Sequence, residues 1–198
     1  MRERLGGRPV AAYVGAANGD RPEFFSIFQG AMEQVGIRDC RMIRSEYGHG
    51  DRASLLAAEV VLLAGGDVAR GWRVMERTGM GADLVARQRS GVVLMGVSAG
   101  AVLLGQKGWA DDEGEPRPFD TLGLVPLVVD AHDEARRWDR LRRVIQAPPG
   151  GLHGVGIPTG GGLVYAPDGG LEAVRYPATR FSAKGAEVQE TLLACRGE

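Results

Sequence analysis

Three short apolar runs, Val10–Val14, Val60–Leu63 and Val92–Met95, each stop at glycine: Gly15, Gly65-Gly66 and Gly96. That rhythm restricts the fold more than any other feature of the chain. Runs of four or five residues without polar alternation suit strands buried on both faces, and such strands belong to parallel sheets covered by helices. Helix-compatible stretches separate them. Pro22 sits where a first helical turn tolerates it, and Phe24, Phe25, Phe28, Met32 and Val35 recur at helical spacing, as a core face does, before Gly36. Further helices are expected through Leu55-Leu56-Ala57, from Val68 to Met75 and from Ala82 to Arg89, with a weak extra strand at Arg41-Met42-Ile43. The expected class is α/β.

Beyond the third run the punctuation changes. Asp111-Asp112-Glu113-Gly114-Glu115-Pro116 reads as an acidic loop, Leu122–Val129 as a strand, and Glu134–Ile145 as one charged helix with a largely solvated face. After Pro148-Pro149-Gly150-Gly151 come short strands at Gly154–Ile157, Leu163–Ala166, Leu171–Tyr176 and Val188–Leu193, with Pro167-Asp168-Gly169-Gly170 as a hairpin turn. The chain therefore reads as one domain, residues 1–198, closed by an antiparallel extension.

Composition excludes several classes. With 24 Lys plus Arg against 25 Asp plus Glu there is no global field favouring nucleic acid or a membrane surface. No run is long enough to span a bilayer, no apolar leader follows Met1, and Cys40 and Cys195 lack metal-ligand spacing and read as ordinary buried residues. A cytoplasmic protein without metal or organic cofactor is expected, acting on a small-molecule partner, with self-association into a homo-oligomer permitted.

The chemistry centres on Gly96-Val97-Ser98-Ala99-Gly100. A serine on a sharp turn between strand and helix has its hydroxyl pushed out of the sheet, and the next backbone N–H and the helix N-terminus face any developing oxyanion. The bland counterpart is a glycine-rich turn in which Ser98 merely caps a helix. A nucleophilic serine needs a base, and the chain holds three histidines: His49, His132 and His153. In an open α/β sheet the site forms at the carboxyl ends of the strands. His132 follows an apolar run whereas His153 precedes one, so His132 is the expected base. The third member should be a carboxylate, and spacing leaves Asp111, Asp112, Glu113, Glu115, Asp120 and Asp130 open. Ala99 would give one oxyanion N–H and Gly65-Gly66 a second. Asp67 and Arg70 stand where they could meet substrate, though a helix N-cap suits Asp67 equally.

Together, Ala64-Gly65-Gly66-Asp67, Gly96-Val97-Ser98-Ala99-Gly100-Ala101, Leu122-Gly123-Leu124-Val125-Pro126 and Asp130-Ala131-His132 resemble the peptidase E and cyanophycinase family of serine peptidases, in element order over residues 8 to 165. The resemblance implies a flavodoxin-like three-layer sandwich similar to class I glutamine amidotransferases. It also implies Ser98 as nucleophile, His132 as base, Glu113 as acid, and Gly66 and Ala99 as backbone donors. Members cleave peptides beside aspartyl residues, including the β-linked aspartyl-arginine polymer. Two positions depart from the family pattern: Asp133 stands where an aromatic is common, putting a charge beside the imidazole, and Val68 replaces a substrate-binding glutamine. The acids at 111 to 115 favour a cationic group on the substrate, hence an aspartyl-arginine-like peptide. Two other classes fit the same residues: a non-catalytic module that keeps the amidotransferase-like fold, and an α/β-hydrolase esterase, which would need its histidine from a late strand.

Overall fold

The computed structural model describes residues 9–112, 115–185 and 187–195. The chain divides into two compact units, Met1–Leu103 and Leu104–Glu198.

The first unit is built on strands β1 (Val10–Val14), β2 (Asp39–Ile43), β3 (Val60–Leu63) and β4 (Val93–Gly96). They pair in the order β2-β1-β3-β4, every pair parallel. Helices α1 (Pro22–Gln34), α2 (His49–Ala57), α3 (Val68–Thr78), α4 (Met80–Arg89) and α5 (from Ala99) make the connections. Alternation along a strand sends Ala11, Tyr13, Val60 and Leu62 to one face, where Phe28 and Met32 of α1 pack with Phe25 beside them. Ala12, Val14, Val61 and Leu63 on the other face are at least partly covered too, Leu63 being 1% exposed. Two-sided burial is what the uninterrupted apolar runs require. The buried arc of α1 centres on Phe25, Phe28 and Met32. Phe24 and Val35 fall at its edge and are exposed, contrary to their reading as core, and the Arg21 guanidinium lies 5.1 Å from the Phe24 ring.

The second unit holds β7 (Val128–Ala131), β8 (His153–Ile157), β11 (Ala178–Lys184) and β12 (Glu187–Leu193) in the order β12-β11-β8-β7. Only β7 and β8 are parallel; the other pairs are antiparallel. Two hairpins complete it, β5 (Lys107–Asp112) with β6 (Glu115–Asp120), and β9 (Gly162–Tyr165) with β10 (Leu171–Val174). The α/β class with a parallel sheet and antiparallel strands toward the C-terminus is as expected.

Four local readings need correction. The described residues of the acidic segment are not loop: Asp111 and Asp112 end β5, and Glu115 and Pro116 begin β6. Pro116 and Pro118 are two apart, so their missing N–H groups fall on the same edge and β6 can still pair with β5. The strand expected over Leu122–Val129 is confined to Val128–Ala131. The charged helix is two pieces, a 3-10 turn at Glu134–Arg136 and α6 (Asp139–Gln146), separated by Arg137 and Trp138 at φ of 54° and 59°. Trp138 is buried at that break, its ring within 2.5 Å of where a Cβ on Gly156 would stand. Nor is the polar face of that helix simply solvated, since Arg140 lies 5.9 Å from the Trp109 ring and Arg142 lies 5.1 Å from that of Phe181. Finally, β11 had no counterpart in the sequence reading. Cys40 and Cys195 are free thiols, half-buried rather than fully buried.

Among the described residues no helix is long and apolar enough to cross a membrane.

Candidate active site

In the first unit all four parallel strands deliver their following loops to the same edge of the sheet. The order β2-β1-β3-β4 reverses direction at β1 and β3, and the loops after those two strands touch. The Asp67 amide donates to the Ala17 carbonyl at 2.9 Å, and a Cβ on Gly66 (φ 144°) would stand 2.2 Å from that same oxygen. Only glycine fits there. The turn after β4 is closed in the same way. A Cβ on Gly96 would meet the Gly100 carbonyl at 2.5 Å, and one on Gly100 would meet the Leu63 carbonyl at 2.1 Å, so α5 starts hard against β3.

That crowding forces the residue between them into an unusual backbone. Ser98 sits at φ 50°, the left-handed region that a residue with a Cβ adopts at a cost of roughly 1–3 kcal/mol. Strain of this kind is the signature of a strand-to-helix turn that lifts its serine out of the sheet. Ser98 is half-buried, and its Cβ lies 3.4 Å from the position a Cβ on Gly65 would occupy, so the loop after β3 closes on it. The Gly66 and Ala99 amides take no part in the backbone hydrogen bonds of the described loops and turns, while Gly100 N donates to Val97 O at 2.8 Å and Ala101 N to Ser98 O at 2.9 Å. Asp67 caps α3, its Oδ1 accepting from Arg70 N at 2.6 Å. The exposed Arg70 side chain reaches over the first loop, its Nη1 3.4 Å from the Cβ position of Gly19.

In the second unit β7 and β8 run in register, Val128 opposite Gly154 and Asp130 opposite Gly156. His132 follows the carboxyl end of β7, its amide donating to Ile157 O at 2.9 Å, and it too sits at φ 50°. His153 opens β8 and so occupies the opposite end of the parallel pair, as expected of it. His49 lies on neither, being the exposed first residue of α2 in the first unit. Glu113 lies outside the described residues.

Sequence reasoning underrated the surroundings of His132. Asp130 and Asp133 are buried, at 3% and 6% exposure. Partnered residues in a parallel register share a face, and Gly156 opposite Asp130 packs against Trp138, so Asp130 points to the side covered by α6. There Arg140 places Nη2 3.6 Å from Asp133 Oδ1. Burial pushes the Asp130 carboxyl up to about 6, partly offset by the hydrogen bond from the Ala131 amide and by the charges of Arg140 and His132, while Asp133 adds to the rise. Glu134 behaves oppositely: burial opposes its ionisation, but hydrogen bonds from its own amide and from Thr159 hold it below the ordinary range. The signal available in sequence was Asp130 two residues before His132; its burial depends on α6, which no local pattern reveals. Among the described residues no group of three or more His, Cys, Asp or Glu is gathered as a metal site.

The sequence model of Peptidase family S51 matches residues 1–170. The chain is 32% identical over 125 residues to peptidase E of Streptomyces coelicolor, covering 61% of this chain and 50% of that protein. It is 34% identical over 152 residues to cyanophycinase of Trichormus variabilis, covering 72% of this chain and 51% of that one. It thus spans about half the length of these curated relatives. A solved peptidase from an acI-B1 actinobacterium shares the fold, with a TM-score of 0.69 at 16% identity over 98% of this chain and 83% of the other. With that model matched over residues 1–170, this chain belongs to Peptidase family S51.

Proposed function

We propose that the chain is a serine peptidase or amidohydrolase of small aspartyl-containing peptides. Ser98 Oγ attacks the scissile carbonyl carbon as His132 takes its proton. The tetrahedral oxyanion is met by the Gly66 and Ala99 amides. Collapse breaks the C–N bond, His132 returns the proton to the leaving amine, and water delivered by the same base hydrolyses the acyl-enzyme. Glu113, at the position the family resemblance gives to the acid, orients the imidazole. Arg70 and Asp67 line the approach, and no metal or organic cofactor enters any step.

The observation that carries this reading is the left-handed backbone of Ser98 in a glycine-packed turn of a family S51 chain. A serine that only capped a helix would gain nothing from that strain. Family membership supports peptide hydrolysis, and the relatives named peptidase E and cyanophycinase support an aspartyl preference. The acids at 111 to 115 favour a cationic neighbour, so aspartyl-arginine-like peptides are the preferred class.

The test is a dipeptide library assayed beside Ser98→Ala. Hydrolysis confined to Asp-Xaa or β-Asp-Xaa members, and absent from the variant, is expected. Undiminished turnover in Ser98→Ala would refute the mechanism, and no turnover of any member would leave a non-catalytic module as the better description.

A further inference from the structure

We infer that Arg70 is the specificity-determining residue of the site: its guanidinium binds the free carboxylate of the aspartyl residue whose carbonyl Ser98 attacks. This rests on the reading of the chain as a peptidase of aspartyl peptides, and names the group that makes aspartate the preferred residue.

Arg70 stands where a helix does not favour a cation. Helices α1, α2, α4 and α6 carry Glu23, Asp51, Asp83 and Asp139 in their first turns, as the positive end of a helix favours. Helix α3 carries no acid there, and Arg70 is its third residue. Asp67 Oδ1 accepts the Arg70 amide rather than its guanidinium, and the exposed guanidinium takes no ion pair or hydrogen bond among the described residues. Asp20, the acid beside Gly19, is engaged under the loop: Oδ2 accepts the Ser45 amide at 2.9 Å, and Oδ1 is buried, 2.6 Å from the Cβ position of Gly15. A cation at an unfavoured place and without a partner is available to an anionic ligand.

The position is fixed as well as open. A Cβ on Gly71 would meet Leu103 Cδ1 at 2.9 Å and Ala17 Cβ at 3.2 Å, so the first turn of α3 is wedged between α5 and the loop after β1. The contacts of Gly66 and Asp67 with Ala17 hold the entry to that turn. From there the Arg70 side chain lies over Gly19, its Nη1 3.4 Å from the Cβ position of a residue that at φ 74° presents bare backbone. Gly19 belongs to the loop after β1 and Ser98 to the turn after β4, with β3 between those strands. Two strand spacings set guanidinium and nucleophile about 10 Å apart along the edge of the sheet. An aspartyl carboxylate is three bonds from the carbonyl carbon its own residue offers, whether the peptide is α- or β-linked. Such a carboxylate bridges the gap, with a hydrogen bond of about 2.8 Å to the guanidinium and an approach of about 3 Å at the carbonyl carbon. Its two oxygens match two N–H groups of the planar guanidinium. An asparaginyl amide presents one oxygen and no charge.

The test measures binding to the whole chain carrying Ser98→Ala, so that no turnover intervenes. Calorimetric titration with Asp-Arg and Asn-Arg, and with β-Asp-Arg and its α-amide, compares each acid with the amide that keeps its shape and removes its charge. We expect the acid of the recognised linkage to bind at least about tenfold more tightly than its amide, a ratio that falls to about two or less when Arg70→Gln is added. Arg70→Lys, which keeps the charge and loses the paired N–H groups, should fall between the two. Urea unfolding is the control: the midpoint of Arg70→Gln should match or exceed the native one, since the variant removes a cation from the positive end of α3. An acid preference that survives Arg70→Gln, or a Ser98→Ala chain that binds acid and amide alike or neither, would overturn the inference. Turnover bears on the other reading. A native chain that hydrolyses none of these peptides, while its Ser98→Ala form keeps the Arg70-dependent preference, contradicts the peptidase mechanism and leaves the carboxylate site standing.

Discussion

The two units shape the proposed nucleophile and the proposed base by different physical means. Around Ser98 the first unit works by exclusion of volume: Gly66, Gly96 and Gly100 each stand where a Cβ would strike a backbone carbonyl, and the serine takes up the resulting strain. Around His132 the second unit works by charge, with Asp130, Asp133 and Arg140 collected under α6. Steric devices are written in local sequence, since glycine is their residue. Electrostatic devices depend on what covers them.

The steric half of that contrast breaks first under alanine. In Gly100→Ala the new Cβ meets the Leu63 carbonyl, which cannot move without disturbing the β3–β4 pairing, so a loss on the order of 3–5 kcal/mol is expected. Gly154→Ala in β8 meets only side-chain atoms of Leu141 and Ile145, the nearest at 3.0 Å, and should cost about 1 kcal/mol. Urea unfolding of the two variants measures the difference, and equal losses would erase the distinction between the units.

Charge should sharpen the comparison through pH. Asp130 lies above its ordinary value of 3.8, at about 6, so between those values the folded chain binds the extra proton. Its contribution therefore favours the folded state at low pH and is lost as pH rises to about 6, on the order of 3 kcal/mol in all. In the first unit Asp83 has the opposite sign. Hydrogen bonds from Arg52, chiefly, and from Tyr47 outweigh burial and hold its carboxyl below 3.8, so its contribution is present above that value and lost on acidification through the folded one. Thermal unfolding across pH about 3 to 7 should show Asp130→Asn removing a fall in stability with rising pH, and Asp83→Asn removing a gain. An effect as small as that of Gly154→Ala is expected at Asp67. Replacing it by alanine leaves the Arg70 amide of α3 uncapped and should cost about 1 kcal/mol in the same unfolding assay.

What could be read before any coordinates follows the same division. The β1, β3 and β4 runs, the turn at Ser98 and the opposite placements of His132 and His153 came from apolar patterning and glycine, both local. The β5–β6 hairpin did not, because an acidic run ending at Pro116 reads as a loop until the edge that Pro116 shares with Pro118 is seen. Strand β11 was hidden because its buried residues, Ala178, Phe181 and Ala183, do not keep a single alternation. The break at Trp138 was hidden too: it exists because a large ring finds room over Gly156 in another element. Asp130 stood among six open carboxylates, and its burial is set by the docking of α6 rather than by any local pattern.

The central claim is that Ser98 is a nucleophile activated by His132. Reaction with a fluorophosphonate probe, followed by peptide mapping, tests it most directly. The account predicts one adduct, on Ser98, abolished in Ser98→Ala and formed at least about a thousandfold more slowly in His132→Ala. An adduct that persists in Ser98→Ala, or a rate indifferent to His132, would contradict it.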